Sequence, residues 1–144
     1  VTGDKTRYGS DKDRLAARAE NLFQKLVPFA KNMNEFEFQS KLDFEVGGVG
    51  VDVKSSRHSE KNKRWAYSIK KQEVLADFFV CFGYLEDGET LNHCLLIPSE
   101  ISRKYQSMSV GSLTKGKWWD YQIDPNHLDG FFLAISGSGP SAHA

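Results

Sequence analysis

The pair Gly47-Gly48 stands between two alternating runs. Leu42, Phe44 and Val46 alternate with Asp43 and Glu45 before it, and Val49, Val51 and Val53 alternate with Gly50, Asp52 and Lys54 after it. Period-two alternation marks half-buried strands, and adjacent glycines supply the backbone angles that a tight hairpin turn requires. With the two glycines as the turn, Val46 faces Val49, Phe44 faces Val51 and Leu42 faces Val53 on one apolar surface. Asp43 then falls opposite Asp52 on the polar surface, and Lys54 lies two residues along on that same side.

Two carboxylates directly across a strand pair have Cβ atoms about 4.5–5.5 Å apart, where like charges destabilise each other. Such a pair calls for a cation. Hard divalent ions such as Mg2+ take one or two carboxylates, keep several waters and complete their shell with substrate phosphate oxygens. An ion held this way polarises a phosphodiester, lowers the pKa of a bound water and stabilises the leaving oxygen, while a nearby ammonium stabilises charge or orients the water. Asp43, Asp52 and Lys54 provide that set. The simpler reading of the same residues is a solvated polar face of a hairpin.

Around the hairpin the chain reads as alternating layers. Leu15, Ala19, Leu22, Phe23, Leu26, Val27 and Ala30 recur at helical spacing with Asp11 and Asp13 in the first turn, which predicts a helix over residues 11–31 that Pro28 kinks or ends. RWAYSIKK has strand character, QEVLA offers one or two helical turns, and an apolar strand runs from Asp77 to Leu85. Asp87-Gly88 is a type I′ turn signal to a partner strand ETLNHCLLIP, in a register that sets Cys81 opposite Cys94. Both cysteines read as reduced core residues rather than a disulfide or a zinc site. Pro98 starts a short helix ending near Tyr105, KWWDYQI reads as a further strand, and Asp124-Pro125 caps a last amphipathic segment with Leu128, Phe131, Phe132 and Ile135. The expected class is α/β or α+β, a central sheet flanked by helices.

The 144 residues, 40% hydrophobic, suit one core that folds without a staple, so disorder, collagen and disulfide scaffolds are excluded. Residues 11–136 form the expected single domain, with 1–10 as a flexible segment and 137–144 as a flexible tail. Val1 is not an initiator Met, which indicates a processed chain or a fragment, and the absence of a secretory signal pattern predicts an intracellular, cytoplasmic protein with no membrane partner. Lys plus Arg equals Asp plus Glu at 19 each, yet residues 54–72 hold 7 basic and 1 acidic residue and 73–100 hold none basic and 6 acidic. That basic block reads as an anion-facing surface beginning at the end of the candidate site, the simpler reading being a solvated charge run. His58 within it reads as a surface residue rather than a general base, and Trp65, Trp118 and Trp119 as packing residues rather than base-stacking platforms.

Asp43 at the start of one strand and Asp52-Val53-Lys54 on the next make the chain resemble the PD-(D/E)XK nuclease superfamily, the restriction-endonuclease-like fold. Leu42 stands where the Pro of the motif name would be. The likeness extends through RWAYSIKK with Trp65 and Ser68, ADFFVCF, LLIPSEI and KWWDYQI, over roughly residues 15–135. It implies a mixed central sheet with flanking helices and Mg2+-dependent hydrolysis of nucleic-acid phosphodiesters, with Mn2+ as a substitute ion. It also implies a glutamate from the first helix, which Glu20 would match, so that Asp43, Asp52 and Glu20 hold metal and Lys54 assists. Ser55, Ser56, Arg57, Lys61, Lys63, Arg64, Lys70 and Lys71 are the expected phosphate contacts. The expected function is a DNA endonuclease, acting as a homodimer where both strands of a duplex are cut. The alternatives are a non-catalytic nucleic-acid or protein binding module on the same fold, or a nuclease acting on RNA.

Overall fold

The Gly47-Gly48 hairpin takes the register that its alternation demands. In the computed structural model, which describes residues 11–35, 42–69 and 75–137, strand β2 (Phe44–Val46) pairs antiparallel with β3 (Val49–Arg57), Phe44 against Val51 and Val46 against Val49. Gly47 and Gly48 have φ of 57° and 87°, which glycine adopts without steric cost. Strand β3 continues into a parallel pairing with β5 (Phe78–Tyr84), Val51 against Phe78 through Arg57 against Tyr84. Strand β6 (Leu91–Pro98) lies antiparallel to β5, and a two-residue strand β1 (Lys31–Asn32) edges β2. The result is a mixed five-stranded sheet in the order β1-β2-β3-β5-β6.

Each face of the sheet carries a layer. On one side helix α1 (Asp11–Leu26) lays Leu15, Ala19 and Phe23 against Val51, Val53, Val80 and Phe82. Its last turn closes before Pro28, which cannot continue a helical hydrogen-bond ladder. Helix α3 (Leu128–Gly137) adds Leu128 and Phe132 to the same core, entered through Asp124, whose side chain accepts the Asn126 N–H at 2.9 Å.

On the other side, β4 (Arg64–Ser68) and β7 (Ser107–Gly111) form a separate antiparallel ribbon. Trp65, Tyr67, Met108 and Val110 from this ribbon pack on Phe79, Cys81, Leu95 and Ile97. A parallel pair needs a long crossover, and β4 is an extended element within the one that joins β3 to β5. Short helix α2 (Ser99–Ser102) follows Pro98 as expected but stops at Ser102, short of Tyr105.

Several expectations need correction. KWWDYQI is not a strand: Lys117–Tyr121 is a 3-10 turn that buries Trp118, while Trp119 Nε1 donates to the Gly111 carbonyl at 3.0 Å. Two adjacent tryptophans wanted by one core favour a turn over a strand that would send them to opposite faces. Strand β7 was not expected, since only Met108 and Val110 alternate there among serines. Cys81 pairs with Leu95, and Cys94 with Phe82, because the ladder shifts at Gly83/Tyr84. The two thiols therefore point to opposite faces and are free, as reduced core residues should be. Residues 36–41, and 72–74 of the expected QEVLA turns, lie outside the described residues, and Leu75 and Ala76 are not helical.

His93 on β6 shows how tightly the ribbon closes over the sheet. Its ring lies between Tyr67 Oη, 2.9 Å from Nε2, and Asn92 Oδ1, 2.9 Å from Nδ1, with Trp65 and Trp119 edges against it. A Cβ on the opposing Gly83 would overlap the imidazole, so only glycine fits there. Burial pushes this imidazole down to about 4. The unfolded chain, with an ordinary histidine near 6.5, then binds the proton first, so stability is full above about pH 6.5 and falls toward pH 4, by about 3 kcal/mol in all. His93→Gln removes that slope; urea unfolding at pH 7 and pH 4.5 measures it, and parallel curves for the two proteins would refute the assignment.

Candidate active site

The hairpin places Asp43 and Asp52 in mutual contact just before β2 begins. Asp43 Oδ2 accepts the Val53 N–H at 2.8 Å, and Asp52 Oδ1 accepts the Asp43 N–H at 3.3 Å. The two carboxylates thus brace the point at which the ladder stops, each holding one oxygen against the opposite backbone. The Met33 N–H donates to the Asp43 carbonyl at 2.9 Å, and the Asn34 side chain hydrogen bonds to the Asp43 carboxyl. Asn34 was not expected from sequence. It lies in the 3-10 turn Met33–Glu35, and an asparagine in a polar turn carries no periodic signal that would single it out.

Burial dominates the electrostatics of the pair. It raises the Asp43 carboxyl above the ordinary carboxylate value, opposed by the Val53 N–H, Lys54 and Asn34. Asp52 is pushed up to about 6 by burial first and by the Asp43 charge second, with Lys54 pulling the other way. One ammonium facing two half-buried carboxylates leaves a net negative charge that a divalent cation neutralises, so this donor set fits a hard oxygen-seeking ion. Lys54 Nζ lies over the Phe79 ring, 5.7 Å from its centroid. Val51 and Val53 turn to the helical layer, whereas Asp52 and Lys54 pair with Phe79 and Cys81 and share their face, beneath the β4–β7 ribbon.

Glu20 is half-buried on α1, next to buried Ala19 and one turn before Phe23, whose ring lies 4.8 Å from that of Phe44. At the other end of the helix Asp11 pairs with Arg57 at 3.8 Å. Helix α1 therefore runs antiparallel to β3, and Glu20 comes level with the middle of β3. Strand β2 begins only at Phe44, so β3 beyond Val51 has no ladder partner on that side among the described residues.

The basic block divides. Ser56 is buried, and its Oγ accepts the Ala66 N–H at 3.0 Å, tying β3 to the ribbon. Arg57 donates to the Glu86 carbonyl at 3.3 Å. Lys61 and Lys63 are exposed on the turn between β3 and β4, where Lys63 has a φ of 54° and lies 3.3 Å from Glu60, and Arg64 is exposed at the start of β4. Arg64 Nη1 reaches Ser109 Oγ at 3.4 Å across the ribbon. Ser55 is half-buried on β3, and Lys70 and Lys71 lie outside the described residues. His58 is not a surface residue: its side chain is only 9% exposed, and with Glu60 and Glu86 it forms a group that could hold a metal ion. No helix among the described residues is long and apolar enough to cross a membrane.

No family model matches the chain, and no curated protein matches it. Among solved structures, the chain is similar to the bacterial homing endonuclease I-Ssp6803I, at 20% identity and a TM-score of 0.54, over 92% of this chain and 94% of that one. The mixed sheet with its flanking layers is thus a nuclease-like fold.

Proposed function

We propose that this protein is a metal-dependent endonuclease of the PD-(D/E)XK type that hydrolyses DNA phosphodiesters. The observation that carries the reading is the Asp43–Asp52 contact with Lys54 two residues along the same face. Likeness of fold to a homing endonuclease supports the reaction class. Asp43 and Asp52 are the residues that would hold Mg2+, or Mn2+ in its place, with Glu20 joining from α1 past the open edge of β3. When bound there, such an ion would supply Lewis acidity toward the phosphodiester and activate water for attack.

The chain's own groups do the rest. The backbone N–H groups of Val53 and Asp43 fix the two carboxylates, so their reorganisation on substrate binding is small. Lys54 stabilises charge developing on the phosphate or orients the attacking water. Lys61, Lys63 and Arg64, with Lys70 and Lys71, neutralise neighbouring phosphates, which makes affinity fall with salt. One copy carries one such centre, so cutting both strands of a duplex calls for a symmetric pair.

The test is cleavage of supercoiled plasmid in Mg2+, Mn2+ or EDTA by this protein and by Asp52→Ala at matched purity. Nicking or cutting that requires metal and disappears in the variant is the expected result. Equal activity in the variant would overturn the assignment of the site. Nucleic-acid binding with no metal affinity would leave a binding module, and cleavage confined to RNA would change the substrate.

A further inference from the structure

We propose that His58, Glu60 and Glu86 form a binding site for a borderline divalent cation of the zinc class, separate from the Asp43–Asp52 pair. His58 leaves the end of β3 with its N–H on the Tyr84 carbonyl at 2.9 Å and its ring 4.6 Å from that of Trp65. Its Nε2 lies 2.9 Å from Ser112 Oγ, and the Ser112 hydroxyl donates its one proton to the Lys63 carbonyl at 2.9 Å. Ser112 can therefore only accept from His58, which places an imidazole hydrogen on Nε2 and makes Nδ1 the nitrogen that offers a lone pair in the neutral ring.

Nδ1 faces carboxylate oxygens on both sides. Nδ1 is in contact with Glu86 Oε2 and lies 3.5 Å from Glu60 Oε1. Ligand atoms of the three residues all lie within 4.8 Å of one another. Lys63 compensates the other Glu60 oxygen, Oε2, at 3.3 Å, and leaves Oε1 turned toward His58. A proton on Nδ1 satisfies one of these contacts, whereas a metal ion satisfies all three. A separation of 3.5 Å is close to the roughly 3.4 Å between two ligands on a tetrahedral zinc with bonds near 2.0–2.1 Å.

Imidazole nitrogen with carboxylates selects Zn2+ and its neighbours over Mg2+. Ser112, holding the far nitrogen, is the outer partner that fixes a metal-binding histidine in the right tautomer. The site lies six residues beyond Asp52 along the strand, about 20 Å away. It joins the β3–β4 turn, which carries Lys61 and Lys63, to the β5–β6 connection, so an ion there cross-links the basic turn to the sheet.

Calorimetric titration of the full chain with Zn2+ in an Asp52→Ala background separates this site from the catalytic pair. One Zn2+ per chain is expected, unaffected by millimolar Mg2+. Affinity should fall at least 100-fold on adding His58→Gln or Glu86→Gln and about tenfold on adding Ser112→Ala. Glu86 is exposed, so Glu86→Gln carries the test if His58→Gln fails to fold. No Zn2+ uptake below about 100 μM, or equal affinity with and without Glu86→Gln, would overturn the proposal.

Discussion

Asp52→Asn is expected to abolish metal-dependent cleavage and at the same time to make the metal-free protein more stable by about 2–3 kcal/mol at pH 7.5. Asp52 is pushed up to about 6 by burial and by Asp43. A carboxyl whose folded pKa lies above its unfolded value stabilises the fold fully only below the unfolded value, near 3.8, and that contribution is lost as pH rises through about 6. At pH 7.5 the native chain therefore holds an ionised Asp52 against its preference. The amide of asparagine keeps an oxygen to accept the Asp43 N–H and carries no charge to repel Asp43. Denaturant unfolding in EDTA at pH 7.5 and pH 4.5 measures this: the advantage of the variant should be large at the higher pH and reduced to about a third of that at the lower. A variant no more stable than the parent at pH 7.5 would mean that the carboxylate pair is not strained.

The same effect would distinguish a metal site from a structural accident. A hairpin end can be closed by a single Asp accepting a backbone N–H, and the second carboxylate only adds repulsion. Retaining both costs stability in the metal-free state and is offset when a cation binds the folded form alone. Loss of function with gain of stability in one substitution is the signature expected of catalytic carboxylates.

The hairpin and its carboxylates were legible because period-two alternation and Gly47-Gly48 fix the register locally. Where register depends on distant partners, legibility fails. Cys81 does not meet Cys94, since the ladder shifts at Gly83, where the buried His93 ring occupies the space of a side chain. Strand β7 exists because β4 needs a partner: Met108 and Val110 become useful only once Trp65 and Tyr67 have covered the sheet. In the same way Asn34 acquires a role only when the β1–β2 pairing brings it to Asp43. His58 looked solvated because its neighbours in sequence are polar. Its neighbours in space are Trp65, Ser112 and Glu86, the last two more than 25 residues away.

Phe23→Ala should lower stability by about 3–5 kcal/mol, the cost of an aromatic-sized cavity in a packed core. Phe23 is fully buried and touches Phe44, 4.8 Å between ring centroids, and Phe132, 5.8 Å. It is the point where α1, α3 and the site hairpin meet. For a domain of this length the loss corresponds to a fall of roughly 10–15 °C in Tm. Phe29→Ala, at a position 46% exposed, is the control and should change Tm by no more than a degree or two. Because Phe44 directly follows Asp43, the cavity opens beneath the carboxylate pair, so cleavage should fall at temperatures where the variant is still folded. Displacement of about 1 Å at a reacting group can cost about 100-fold in rate. A Phe23→Ala protein that melts with the parent would show that the helix does not support the hairpin. One that melts early but cleaves at the parental rate would show that Asp43 is held by its own hydrogen bonds to Val53 and Asn34 rather than by the core below it.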